Sequence, residues 1–101
     1  MSHSKFELPE DQIATFCRKW KIAEFSLFGS VLSDRFRPDS DVDVLVTFED
    51  QARWSLYDWV DMIDELELLF HRKVDLVDKE GLRNPFRRHN ILNSRMLIYA
   101  A

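Results

Sequence analysis

Two aspartates separated by one residue, Asp41 and Asp43, stand at the start of a segment with strand character. Side chains two positions apart on a strand leave the same face, with Cα atoms about 6.6 Å apart, so both carboxylates can reach one cation or a close pair of cations. Aspartate is otherwise disfavoured in strands. Carboxylate oxygens without a neighbouring His or Cys suit Mg²⁺, which leaves its other positions to water and phosphate. The pattern predicts a magnesium site that a phosphate-bearing molecule completes.

A second candidate feature is the turn Gly29-Ser30, which follows a short apolar run. Glycine allows close approach of the backbone, and the Ser30 hydroxyl with the free N–H groups of the next turn can hold phosphate oxygens. We expect Ser30 to cap a short helical turn that runs through Phe36. If the strands on either side of the turn pair antiparallel, Ser30 comes next to Asp41 and Asp43.

The third feature is Asp75, which is flanked by apolar residues in the predicted strand 73–77. On the same face it could share a second metal ion with Asp43 and accept or orient the proton of an attacking hydroxyl. Taken singly, a Gly-Ser turn is usually structural, and aspartates at strand ends or edges are usually solvated. The joint order of the three features indicates nucleotidyl transfer instead.

The elements that must position these residues follow from hydrophobic spacing and turn residues. Strands and helices alternate, which predicts an α/β domain with a small mixed sheet flanked by helices, and the short connections leave room for antiparallel pairing. The apolar residues of the longest helix form one stripe: Leu56, Trp59, Val60, Ile63, Leu66 and Phe70. The predicted elements are helix 9–20, strand 25–28, strand 41–48, helix 54–70, strand 73–77, a helix from Asn84-Pro85 to about Leu92, and strand 96–99.

Length and composition bound the function. The 101 residues fit a single domain, residues 1–101, and the net charge of −4 argues against direct nucleic-acid binding. The two glycines, Gly29 and Gly81, do not have the spacing that the dinucleotide fingerprint and the Walker phosphate loop require, so both motifs are absent. No uncharged run approaches the roughly 18 apolar residues of a membrane span. One cysteine fits a reducing compartment, so we expect a cytoplasmic protein with no membrane contact.

Three segments carry a resemblance to a known family. Phe28-Gly29-Ser30, ten intervening residues, Asp41-Val42-Asp43-Val44-Leu45-Val46 and the later Val74-Asp75-Leu76-Val77 resemble the minimal nucleotidyltransferases of the DNA polymerase β superfamily, over a motif-bearing core of about 23–99. The resemblance implies a polymerase β-like fold that transfers a nucleoside monophosphate from a triphosphate, here ATP, to a hydroxyl. It assigns nucleotide binding to Gly29 and Ser30. It assigns Mg²⁺, as two ions, to Asp41, Asp43 and Asp75, the last as the third catalytic carboxylate.

The resemblance also implies a partner. Small members of the family often act as antitoxins that attach AMP to a tyrosine of a HEPN ribonuclease toxin, so a Mg²⁺-dependent protein adenylyltransferase in a hetero-oligomer with such a toxin is the leading hypothesis. One alternative is an antitoxin of weak catalysis that binds and occludes the toxin. Another is a small-molecule nucleotidyltransferase, for which no acceptor domain is visible in the sequence.

The sequence departs from the family at the positions after the Gly-Ser turn. Many relatives carry basic residues there, whereas Val31 and Ser33 stand here, so a phosphate contact from those positions is missing. Arg35 and Arg37 are candidate replacements. A small basic group on the last predicted helix, consisting of Arg87, Arg88 and His89, could contact phosphate or a partner, or could form an exposed polar face.

Overall fold

The computed structural model describes residues 8–37 and 39–101. Its four strands form one mixed sheet in the order β3-β2-β1-β4, in which β2 and β3 are parallel and the other neighbours antiparallel. The predicted α/β fold with a mixed sheet flanked by helices is confirmed. The elements are α1 (Glu10–Lys19), β1 (Ile22–Phe28), β2 (Val42–Phe48), α2 (Leu56–Phe70), β3 (Val74–Asp78), α3 (Pro85–Ser94) and β4 (Met96–Ala100), with 3₁₀ turns at Gly29–Leu32 and Lys79–Gly81.

Two of the described helices, α2 and α3, begin after residues whose side chains accept hydrogen bonds from the free N–H groups of the first turn. Ser55 precedes α2 and forms a capping box with Asp58, in which each side chain accepts a hydrogen bond from the backbone of the other residue. Asn84 precedes α3 and accepts hydrogen bonds from the first backbone N–H groups of that helix, which starts with Pro85. None of the helices in the described part of the chain has the combined length and apolar character that crossing a membrane requires.

The two faces of the sheet are covered by different helices. Val42, Val44 and Val46 of β2 belong to the larger core, which also contains buried side chains of α1 and α2. Leu45 points to the opposite face, because successive strand residues alternate, and it packs in a smaller cluster that includes Ile91 of α3. The sheet therefore lies between α1 and α2 on one side and α3 on the other.

The longest helix buries a different stripe from the one predicted. Leu56 and Val60 are 76% and 47% exposed, whereas Met62 is fully buried together with Leu66. The helix carries more apolar residues than its contact with the sheet can cover, so spacing alone did not identify the buried set. The stripe prediction is wrong for Leu56 and Val60 and correct for Leu66 and Phe70.

Two other local predictions differ from the structure. The first strand begins at Ile22, three residues before the predicted start, because it pairs with neighbouring strands on both sides. Ser30 does not cap a helical turn through Phe36; it lies inside a 3₁₀ turn that starts at Gly29 and ends at Leu32, without a side-chain cap. Ser33 terminates that turn by hydrogen bonding instead.

Candidate active site

The sheet register brings the Gly-Ser turn and two of the predicted carboxylates together. Phe28, the last residue of β1, is the antiparallel partner of Asp43, and Asp43 is the parallel partner of Asp75 on β3. Asp43 therefore lies between the Gly29 turn and Asp75. The predicted antiparallel pairing around the turn is confirmed, and Asp41 stands immediately before the first residue of β2.

Gly29 is held directly against Asp43. Its φ of +79° is in the region that disfavours side chains. A Cβ at this position would also collide with Oδ2 of Asp43. Only glycine fits both conditions without displacing the Asp43 side chain, so the backbone of the turn runs alongside the carboxylate.

Ser33, one of the positions where the sequence departs from its family, closes the turn. Its backbone N–H and its hydroxyl both donate to the Ser30 carbonyl, at 2.9 and 3.0 Å. Its hydroxyl oxygen also accepts a hydrogen bond from the Arg35 N–H at 3.1 Å. The residue therefore stabilises the conformation of the turn, although it brings no positive charge to it.

Asp43 lies in a concentration of negative charge. Burial raises the pKa of its carboxyl above the ordinary value, and the neighbouring charges of Asp75 and Asp41 raise it further. The Arg87 guanidinium acts in the opposite direction and lowers this pKa. Crowded carboxylates of this kind stabilise a bound cation, because the cation relieves their mutual repulsion.

The donor set at this edge of the sheet fits Mg²⁺. Asp41, Asp43 and Asp75 offer only carboxylate oxygens, which Mg²⁺ prefers. Among the residues described, no three His, Cys, Asp or Glu side chains converge closely enough to hold a metal ion by themselves. Mg²⁺ commonly takes one or two protein carboxylates and completes its coordination with water and phosphate.

The loop that leads to Asp41 is held by a residue that the sequence reasoning missed. The Arg72 guanidinium donates to the carbonyls of Arg37 and Ser40, at 2.7 and 3.3 Å, and lies 4.2 Å from the ring centroid of Phe36. The acceptors are more than 30 residues away in the chain. No local pattern could therefore have revealed this role, by which Arg72 positions the segment that ends in Asp41.

The three basic residues of α3, Arg87, Arg88 and His89, each interact with a different partner. Arg88 donates to the Lys79 carbonyl at 2.8 Å, which ties α3 to the preceding 3₁₀ turn. His89 is 2.8 Å from the Asn93 side chain along the helix. Arg87 is the member whose charge reaches Asp43. Arg35 and Arg37, the candidates for phosphate contact, are exposed on the loop before β2.

Comparison with known proteins gives the class. The family model for the nucleotidyltransferase domain matches residues 10–98, which include all the predicted site residues. The chain belongs to this family. Membership confirms the predicted enzyme class, nucleotidyltransferase, and implies a nucleoside triphosphate substrate and a divalent metal.

Individual relatives refine the class. A Methanocaldococcus jannaschii protein, provisionally named a protein adenylyltransferase, is 32% identical over 73 residues, which is 72% of this chain and 73% of its own. The same fold occurs in a crystal structure of a toxin-antitoxin with AMP-PNP, at a TM-score of 0.75 and 21% identity over 93% of this chain and 75% of that one. It also occurs in a structure of a tri-AMPylated Shewanella oneidensis HEPN toxin in complex with its MNT antitoxin, at a TM-score of 0.66 and 19% identity over 91% and 70% of the two chains.

Proposed function

We propose that this chain is a Mg²⁺-dependent protein adenylyltransferase that acts as an antitoxin, transferring AMP from ATP to a tyrosine hydroxyl of a partner HEPN ribonuclease toxin. The observation that carries the proposal is the contact of the Gly29 turn with Asp43, beside Asp75 on the next strand. A phosphate-binding turn and paired carboxylates at one sheet edge are the elements that nucleotidyl transfer needs.

In this proposal the metal ligands are the three aspartates. Asp41, Asp43 and Asp75 would hold the Mg²⁺ ions, of which we expect two. The ions would neutralise the charge that develops on the phosphate oxygens during transfer. The raised pKa of Asp43 supports this assignment, because a carboxylate crowded by like charges gains most from a bound cation.

Residues of the chain hold the triphosphate and accept the proton of the attacking hydroxyl. Gly29 and Ser30 hold the triphosphate through the backbone of the turn and the Ser30 hydroxyl. The acceptor hydroxyl oxygen forms a bond to the α-phosphorus, the bond between the α-phosphorus and the bridging oxygen breaks, and pyrophosphate leaves. Asp75 accepts the proton released by the hydroxyl, because it lies next to Asp43 on the same face of the sheet.

The partner and the location come from the relatives and from the composition. The neighbouring structure with a tri-AMPylated HEPN toxin and an MNT antitoxin supports a protein acceptor of the same type in a hetero-oligomer. The crystal structure with AMP-PNP supports an adenine nucleotide as donor. We place the pair in the cytoplasm, where ATP is available and the lone cysteine stays reduced.

Label transfer tests the proposal. The chain is incubated with its partner, Mg²⁺ and ATP labelled on either the α- or the γ-phosphate. Label should appear on the partner only from the α-phosphate, and Asp41→Asn with Asp43→Asn should abolish it. Asp61→Asn with Asp64→Asn, the same charge change on the exposed side of α2, is the control that keeps activity. Labelling from the γ-phosphate would identify a kinase and overturn the proposal.

The alternative of inhibition by occlusion has one specific observation in its favour. Val31 and Ser33 bring no positive charge to the turn, which weakens triphosphate binding relative to a basic residue. Growth of cells that express the partner toxin distinguishes the two mechanisms. If the Asp41→Asn, Asp43→Asn variant rescues growth as well as the unmodified chain, occlusion is the mechanism; loss of rescue, with the complex still formed, requires catalysis.

A further inference from the structure

Helix α3, which carries Arg87, lies on the face of the sheet from which Asp43 projects. Ile91 packs in the smaller cluster with Phe28 and Leu45, on the face of the sheet opposite α1 and α2. Asp43 lies two residues before Leu45 and so projects from this same face. Arg87 lies four residues before Ile91, one turn earlier on the same side of the helix.

The packing of Ile91 places the Arg87 side of α3 against this face of the sheet. Ile91 packs with Phe28 and Leu45, and Phe28 is the antiparallel partner of Asp43. The electrostatic effect of Arg87 on Asp43 agrees with this placement.

Arg88, the arginine next to Arg87, has a hydrogen-bond partner outside the site. Arg88 donates to the Lys79 carbonyl and is partly buried there, whereas Arg87 is exposed. An exposed guanidinium beside a carboxylate pair retains its donors for an incoming anion. The turn at Gly29 has no basic residue at Val31 or Ser33, so a cation on a neighbouring element would strengthen phosphate binding, beside any contact from the exposed Arg35 and Arg37.

We propose that Arg87 contacts the phosphates of the bound nucleotide and supplies the positive charge that Val31 and Ser33 do not. The inference rests on the proposed function for the nucleotide itself. It adds that triphosphate recognition is shared between the Gly29 turn on one side and the first turn of α3 on the other. The planar, multidonor guanidinium matches phosphate oxygens, which a lysine can contact only as a point charge.

Nucleotide binding without turnover tests this role. Affinity for a non-hydrolysable ATP analogue with Mg²⁺ is measured for the unmodified chain, Arg87→Ala and Arg87→Lys. The control is Arg18→Ala, which makes an equal change of charge on the exposed side of α1. Arg87→Ala should weaken binding about tenfold and reduce its dependence on salt, since one charge-assisted contact is lost. Arg87→Lys should recover part of the affinity, and Arg18→Ala should bind as the unmodified chain does.

The outcomes distinguish failure of the proposed function from failure of the Arg87 role alone. If the unmodified chain binds no ATP analogue, the proposed function fails and the Arg87 role fails with it. If the chain binds but Arg87→Ala binds equally well with the same salt dependence, only the Arg87 role is overturned. Unchanged nucleotide affinity with a raised KM for the partner would likewise overturn it and assign Arg87 to the acceptor. Thermal unfolding of each variant verifies that the fold is retained.

Discussion

Gly29 and Asp43 depend on each other. The aspartate occupies the space that a side chain at position 29 would need, and the glycine backbone adopts a positive φ to pass beside it. The contact places the turn proposed to bind phosphate against the carboxylate proposed to bind metal, without any intervening side chain. Replacement of either residue should therefore affect the site before it affects the rest of the fold.

Gly29→Ala is expected to reduce nucleotidyl transfer by about a hundredfold or more, because the methyl group displaces Asp43 from its position. It should also destabilise the fold by about 1–2 kcal/mol through the unfavourable backbone conformation. Activity and thermal unfolding measure the two effects. Gly81→Ala is the matched control, since a Cβ there meets no atom within 4 Å. Equal activity of the two variants would contradict the described contact.

Asp43 is expected to reduce the stability of the metal-free protein near neutral pH. Because burial and then Asp75 and Asp41 raise its pKa, the folded chain binds a proton there more tightly than the unfolded chain. Folding stability therefore falls as pH rises from the unfolded value of about 3.9 through the raised folded value, and stays lower above it. Asp43→Asn should unfold at a higher temperature than the unmodified chain at pH 7.

The pH profile distinguishes this electrostatic effect from a packing effect. In buffer with a metal chelator, the advantage of Asp43→Asn should shrink as pH falls from the raised folded pKa to about 4, and it should be lost below that, where the carboxyl is protonated in both states. Asp61→Asn, an exposed change on α2, serves as the control. A stability difference that does not vary with pH, or a less stable Asp43→Asn, would contradict the assigned cause.

The elements around the site differ in how they are held. β2 and β3 are fixed by their parallel pairing, which sets the distance between Asp43 and Asp75. In the described part of the loop before β2, Arg72 supplies tertiary hydrogen bonds from the connection between α2 and β3. Asp41 thus depends on a side chain, whereas Asp43 and Asp75 depend on the sheet.

Arg72→Ala is expected to raise the Mg²⁺ concentration for half-maximal transfer about tenfold, because ligands lose affinity when their supporting hydrogen bonds are removed. Stability should fall by about 1–2 kcal/mol, since the hydrogen bonds come from a charged group that is partly solvated. A Mg²⁺ titration and thermal unfolding measure these quantities. Arg53→Ala, which removes a guanidinium that donates to the Ala52 carbonyl, is the control. An unchanged Mg²⁺ requirement in Arg72→Ala would overturn the positioning role.

The sheet has a large hydrophobic core on one face and a small hydrophobic cluster on the other. The larger core with α1 and α2 contains most of the buried apolar side chains, and the smaller cluster under α3 contains only a few. Asp43 and Asp75 project from the side of the smaller cluster. The larger core also supports the site, because its Phe36 packs against Arg72, which holds the loop before Asp41. A single domain over residues 1–101 stays a prediction.

The sequence predicted the strands and the helices, because periodicity and turn residues are local signals. It placed Ser30 beside Asp41 and Asp43 only on the condition that the first two strands pair antiparallel, which the structure confirms. The role of Arg72, and the distinction of Arg87 from Arg88 and His89 in the basic group, were not predictable in this way. Each depends on which helix face meets which end of the sheet, and that geometry arises only from tertiary packing. The buried position of Met62 on α2 was missed for the same reason.

The intact mass of the partner toxin is the most direct measurement. The intact mass of the co-purified partner is measured by mass spectrometry before and after incubation with this chain, ATP and Mg²⁺. We predict an increase by one or more AMP units that is absent with Asp41→Asn plus Asp43→Asn and preserved with Asp61→Asn plus Asp64→Asn. An unchanged mass of the partner in a stable complex would contradict AMP transfer and leave inhibition by binding as the function.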